Sequence, residues 1–334
     1  MLDMTKEDEL ESLLIQYKTL EIDRQIDYEK IYLYSIITHS TAIEGSTVTE
    51  LENQLMFDQG ISAGGRTLVE QYMNLDLRAA YDRGLEYARS HSAITLELLK
   101  ELSAITMKNT GQIYKTVLGD FSSANGDIRL LNVTAGIGGR SYMSYNKVPV
   151  KLREFCDELN RNRKIVEKKP SIDQYLLSFD AHYDLVTIHP WADGNGRMAR
   201  LLMNMIQFEF GLIPSKILKE DKDRYIKALV ETREYEDKTI FRQFMLDEMI
   251  GTFSKDIQAF VKSTGEELPP APGKEKSREK IIRLLRENGK MTTLTLAQAV
   301  DISPKAVEKH LSKLKSEGII SRIGPDKGGY WKVN

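Results

Sequence analysis

One cysteine, Cys156, in 334 residues excludes an intramolecular disulfide and any zinc-finger spacing, and it fits a reducing compartment. No run of about eighteen apolar residues occurs, so no segment reads as a membrane-spanning helix. The opening stretch, MLDMTKEDELESLL, is acidic and lacks the basic-then-apolar layout of a signal peptide. A formal net charge of −2 and a pI near 6.3 exclude an overall bias toward nucleic acid or membrane. These absences predict a cytoplasmic protein without a membrane partner. What is present is ordinary: 41% hydrophobic residues suit a soluble core, and the length allows two domains.

The chemistry concentrates in residues 187–200, TIHPWADGNGRMAR. His189 precedes Pro190, which pushes it out of the helical region, so the apolar helix through Tyr183 and Val186 is expected to stop there. In Asp193-Gly194-Asn195-Gly196, two glycines flanking an asparagine predict left-handed backbone whose N–H groups converge into an anion cradle. From Arg197 the pattern turns helical through Leu201, Leu202, Met205 and Ile206, so the cradle opens onto a helix N-terminus that also favours phosphate. Arg197 and Arg200, three apart on one side of that helix, suit bidentate grips on phosphate oxygens. Asp193 offers a hard oxygen for Mg²⁺. His189 can take a proton from an attacking hydroxyl near neutral pH. Together these parts point to nucleotidyl or phosphoryl transfer.

Upstream, apolar residues recur at helical spacing from residue 9 to about 43 with no proline or glycine, as two helices or one bent one. This run ends at Ser40-Thr41-Ala42-Ile43-Glu44-Gly45, after which Thr49 and Glu52 offer a capping box. Glu44 falls in the last helical turn, where the dipole favours cations, so its carboxylate calls for compensation from elsewhere. Residues 68–88 and 95–107 read as amphipathic helices. The stretch 126–150, with turn residues at Asn125-Gly126 and Gly138-Gly139, predicts a β-hairpin with strands at 128–133 and 140–143. After the helix that ends near Phe210, Tyr225 to Leu229 begins another, with Tyr225 suited equally to core and to ligand contact.

Residues 263–277, with Pro269, Pro270, Pro272 and Gly273, predict a linker. Beyond it, helices at 278–287, 294–300 and 304–316 and a hairpin around Gly328-Gly329 resemble a winged-helix domain. From residue 274 onward the chain carries 14 basic and 7 acidic residues, net +7, leaving −9 for the remainder. Lys305, Lys309, Lys313 and Lys315 on the third of these helices suit phosphate contacts, and Ser303 or Lys305 a groove edge, so DNA is a candidate partner.

The stretch at 189–200 resembles the signature of the Fic-domain proteins, H-P-F-x-D/E-G-N-G-R-x-x-R, with Trp191 in place of the usual Phe. The run from Ser40 to Gly45 is similar to that family's inhibitory helix, S/T-x-x-x-E-G/N, and the segment with Gly126 and Arg129 to its flap. The resemblance implies a mainly α fold: a helical Fic core with a short β-hairpin flap, plus the C-terminal winged helix. The expected divisions are 1–110, an N-terminal helical region with the inhibitory helix; 111–262, the catalytic core; 263–277, linker; and 278–334, winged helix.

It also implies transfer of AMP from ATP to a Ser, Thr or Tyr hydroxyl of an unidentified target protein, or of the enzyme itself. His189 would be the base, Asp193 the Mg²⁺ ligand, and Gly194, Asn195, Gly196, Arg197 and Arg200 the nucleotide contacts, with Glu44 pairing to Arg200 as a brake. Two rival readings are removal of AMP at the same site, with Glu44 aligning a water, and a DNA-binding regulator whose core senses nucleotide. A homodimer is a further possibility.

Overall fold

The computed structural model describes residues 5–135, 140–268, 277–300, 302–324 and 329–333, apart from the side chains of Glu279 and Glu287. It divides into two compact units, Met1–Glu267 and Leu268–Asn334.

In the first unit α1 (Lys6–Thr19), α2 (Tyr28–Ile43), α3 (Glu50–Gln59), α4 (Leu68–Arg89) and α5 (Leu96–Thr106) precede a two-stranded hairpin, β1 (Ile113–Thr116) and β2 (Gly119–Ser122). Then come α6 (Val148–Val166), α7 (Ser171–Ile188), α8 (Asn195–Glu209), α9 (Lys222–Tyr235) and α10 (Lys238–Thr264). Capping boxes at Thr5 with Asp8, Thr49 with Glu52 and Thr67 with Glu70 start α1, α3 and α4, each satisfying N–H groups that the first turn leaves orphaned.

The unit is organised around α8, which is buried on every side from Met198 to Gln207. It packs on α7, α4 and α5. Gly84 lets α4 approach, since a Cβ there would stand 3.2 Å from the Met205 sulfur. The polar groups on α8 are matched: Asn204 accepts from the Tyr81 hydroxyl at 2.7 Å, and Gln207 bonds Ser178 and Ser215. On the flank, Asn74 of α4 accepts from Thr41 of α2 and Asn53 of α3 and donates to Ser46, holding the C-terminal end of α2 in place. These contacts fix where Glu44 emerges.

One element differs from expectation. Among the described residues, the segment 128–143 forms no strand pair. It is a loop closed by a single bridge, Thr134 with Ser141, and by the Tyr142 amide donating to the Val133 carbonyl; the regular hairpin lies upstream, at β1–β2. Arg129 ties the two arms together instead, its side chain donating to the carbonyls of Leu131 and Met143. The turn residues Gly138 and Gly139 lie outside the described residues, as do Pro269, Pro270, Pro272 and Gly273 of the expected linker and Gly328 of the terminal turn. α10 carries two residues further than expected, through Ser263 and Thr264, before Gly265 closes it at φ 73°.

The second unit contains α11 (Ser277–Glu287), α12 (Thr293–Val300), α13 (Pro304–Ser316) and the antiparallel pair β3 (Ile320–Ile323) and β4 (Tyr330–Val333). Ile281, Leu285, Leu296, Val300, Val307, Leu311, Leu314 and Ile320 form its own core. Pro304 sits at the first turn of α13, and the Ser303 hydroxyl accepts from the Ala306 amide as its cap. Lys305, Lys309, Lys313 and Lys315 are exposed. No described helix is long and apolar enough to cross a membrane.

Candidate active site

His189 closes α7 as its C-cap in a left-handed conformation, φ 53° and ψ 62°, which costs a non-glycine residue about 1–3 kcal/mol and persists only where its surroundings enforce it. They do. The Arg129 guanidinium donates to the His189 carbonyl at 2.7 Å and the Arg129 amide to the Pro190 carbonyl at 3.0 Å. The imidazole Nδ1 lies 3.2 Å from the Val186 carbonyl, so in the neutral ring Nδ1 donates and Nε2 keeps its lone pair. Burial pushes the imidazole down to about 4, so the ring is neutral at physiological pH.

Trp191 is fully buried, its indole N–H donating to the Gly126 carbonyl at 3.2 Å. The Asn195 side chain spans the loop, accepting from the Trp191 amide at 3.1 Å and donating to the Trp191 carbonyl at 2.9 Å. Asn195 is therefore a pin for the loop. The two glycines behave differently from each other. Gly194 is left-handed at φ 82° and forms the N-cap of α8. Gly196 is already helical, contrary to the expected left-handed turn, and its lack of a side chain serves proximity: a Cβ there would meet Glu44 Oε1 at 2.6 Å and Arg200 Nη1 at 3.1 Å.

Asp193 is the exposed member of the loop, its side chain 60% accessible, with Oδ1 accepting from the Gly194 amide at 2.6 Å and 3.7 Å from Arg197 Nη2. Among the described residues no cluster of three or more His, Cys, Asp or Glu could hold a metal, so a metal here would depend on Asp193 and on phosphate oxygens. That donor set fits magnesium.

The two arginines are both buried but differently satisfied. Arg197 Nη2 points at the Met107 sulfur, 3.0 Å away, while its Nε and Nη1 are buried without a partner. Buried unpaired donors on a cation are costly, and an anion is what relieves them. Arg200 is fully engaged: Nε donates to Ser40 Oγ at 2.8 Å, Nη2 to the Ser40 carbonyl at 3.0 Å and to Glu44 Oε1 at 2.6 Å, and Nη1 to the Tyr225 hydroxyl at 3.4 Å. Tyr225 is buried and bonds His182 Nε2 at 2.9 Å, so it is a core residue backing Arg200. Burial pushes the Glu44 carboxyl up, but the Arg200 charge and hydrogen bond outweigh this and hold it below the usual carboxylate range. The cation that the end of α2 called for is Arg200.

All eight residues singled out by sequence thus meet at one place, at the junction of α2, α7 and α8. Sequence reasoning missed Ser40 as an Arg200 acceptor, Met107 beside Arg197 and Gly194, and Arg129 and Tyr142 around His189. The Tyr142 ring stacks on the imidazole with centroids 3.8 Å apart. Only the Gly126-x-x-Arg129 spacing hinted at any of these.

Residues 93–207 match the Fic/DOC family, and residues 274–321 a winged helix-turn-helix DNA-binding family. The chain is similar to the protein adenylyltransferase Fic of Drosophila willistoni, 29% identical over 195 residues, covering 58% of this chain and 35% of that protein. It is similar as well to protein adenylyltransferase fic-1 of Caenorhabditis elegans, 29% identical over 207 residues, 62% of this chain and 37% of that one. The chain therefore spans little more than a third of the length of these relatives. A solved Fic domain containing signaling protein from Bacteroides thetaiotaomicron has the same fold, with TM-score 0.63 and 21% identity over 78% of this chain and 99% of that one. A Fic family protein from Desulfovibrio desulfuricans matches 98% of this chain and 94% of its own, with TM-score 0.58 and 19% identity.

Proposed function

We propose, on the premise that this chain carries a Fic domain and a winged helix-turn-helix, that it transfers AMP from ATP to a Ser, Thr or Tyr hydroxyl of a target protein and of itself. Both curated relatives described above are named protein adenylyltransferases. In this reaction the acceptor oxygen bonds to the α-phosphorus as the bond to the bridging oxygen of the β-phosphate breaks, and pyrophosphate leaves. His189 Nε2 takes the hydroxyl proton. Gly194 and Gly196, at the N-terminus of α8, let backbone N–H groups approach the phosphates, with Asn195 pinning the loop. Arg197 and Arg200 bind the outer phosphates. Magnesium at Asp193 would neutralise phosphate charge when bound.

The observation that carries this reading is Arg197, a buried guanidinium with two unpartnered nitrogens, Nε and Nη1, beside Gly194. We read the Glu44–Arg200 pair as a brake, because it turns that guanidinium toward α2. The exposed lysines of α13 and the family matched there favour DNA as a second partner.

The test is incubation of the protein and a cell lysate with ATP labelled at the α-phosphate, followed by mass spectrometry. AMP on a Ser, Thr or Tyr side chain is expected. No labelled protein, or a phosphate adduct without the α label, would contradict the reading.

A further inference from the structure

Tyr142 stands outside the signature, yet its ring lies face to face on the His189 imidazole, with centroids 3.8 Å and planes 18° apart. The lone pair of Nε2 lies in the plane of the imidazole, so a face-on partner restrains the ring's rotation while leaving that edge open. On the ring's own side, the Val186 carbonyl holds Nδ1. Ring plane and tautomer are thus fixed by different residues.

What holds Tyr142 there is Arg129. Its fully buried guanidinium reaches two chain segments at once: the carbonyl of His189, and the carbonyls of Leu131 and of Met143, the neighbour of Tyr142. None of these acceptors is a carboxylate. A buried cation whose partners among the described residues are carbonyls costs stability that an apolar side chain would not, which points to a positional task. Arg233 of α9 also lies over the Tyr142 ring, 5.3 Å from its centroid. The charges facing His189 are Arg129, Arg233 and, from its own loop, Asp193.

We infer that Tyr142 is a positioning residue for the base: carried by the Arg129 clamp on Met143, it fixes the imidazole plane so that Nε2 meets the acceptor hydroxyl. The inference rests on reading His189 as the base of adenylyl transfer. Nothing in it requires the tyrosine hydroxyl, so the ring alone must suffice.

The experiment compares Tyr142→Phe and Tyr142→Ala in the full chain, with two readouts. In steady-state transfer, Phe is expected to keep kcat within about twofold, and Ala to lower it about tenfold or more with KM for ATP unchanged, the signature of a misaligned base. In NMR titration of the histidine rings, with His189 identified by its loss in His189→Ala, the midpoint near 4 is expected to persist in Phe and to rise toward about 6.5 in Ala as the ring gains water. If Ala lowers the melting temperature below that of the assay, Tyr142→Leu, which keeps apolar bulk without a ring, takes its place. Unchanged kcat and midpoint in Ala, or a Phe variant as impaired as Ala, would overturn the inference. The titration needs no nucleotide: if it moves as stated while the wild type transfers no AMP, the positioning holds and the transfer reading falls.

Discussion

Glu44 Oε1 lies 2.6 Å from Arg200 Nη2, joining the last turn of α2 to the first turns of α8 across 156 residues of sequence. The approach is possible only because residue 196 has no side chain. A carboxylate at a helix C-terminus, unfavourable by a few tenths of a kcal/mol on its own, here meets a buried cation that needs it.

Gly196→Ala therefore makes a specific prediction. The added methyl would overlap Glu44 Oε1 and crowd Arg200, and overpacking of this kind costs about 1–3 kcal/mol. Part of that cost belongs to the carboxylate, so the loss of stability should be smaller in a Glu44→Gly background, by roughly 1 kcal/mol. Chemical denaturation of the four members of the cycle measures this. Strict additivity would mean that Gly196 and Glu44 do not share the space.

His189→Ala should lower AMP transfer by about two to four orders of magnitude, with ATP affinity little changed, if the imidazole is the general base. Calorimetric ATP binding beside a labelled-ATP assay separates the two effects. Transfer within tenfold of the wild type would remove His189 from that role.

The buried imidazole also sets a pH dependence. With its midpoint near 4, it is neutral across pH 6–8, so kcat/KM should be flat there and fall only as pH drops toward 4. Folding stability has the matching sign. The unfolded ring, near 6.5, binds a proton that the folded ring refuses, so this site's contribution is full above about 6.5 and is lost as pH falls toward 4, by up to about 3 kcal/mol. An activity limb near 6.5 would mean that the ring is solvated in the working enzyme.

How much of this was legible in the sequence follows from the range of the interactions. The helices around the site are set by local periodicity and caps, and the Thr49–Glu52 cap stands where the pattern placed it. The misplaced charge at Glu44 was legible for the same reason, since a helix end has a sign. The segment around 128–143 was not. Its course is decided by Arg129, whose partners at 189, 131 and 143 include a carbonyl 60 residues away that no local pattern encodes. Gly196 shows the same limit, because two glycines in a turn motif look alike until a distant carboxylate fills the place of one Cβ.

The second unit carries its own prediction. Replacing Lys305, Lys309 and Lys313 with glutamine should weaken binding to duplex DNA at all sequences and flatten its dependence on salt, if these exposed side chains meet phosphates. Fluorescence anisotropy across a salt series reads both quantities. Identical binding by the wild type and the triple variant would exclude this face of α13.

The most direct measurement of the central claim is self-labelling by Glu44→Gly beside the wild type, with ATP labelled at the α-phosphate. Freeing Arg200 from Glu44 should raise AMP incorporation at least about tenfold, a fraction of the hundredfold that a 1 Å misalignment costs. Arg200 keeps Ser40 and Tyr225, and the Glu44 side chain is 36% exposed, so after allowance for solvent screening the fold should lose no more than about 1–2 kcal/mol. If the protein chiefly removes AMP, the same substitution should abolish removal from a modified target while unmasking transfer. Unchanged labelling, with the Glu44→Gly protein folded and binding ATP, would contradict the account.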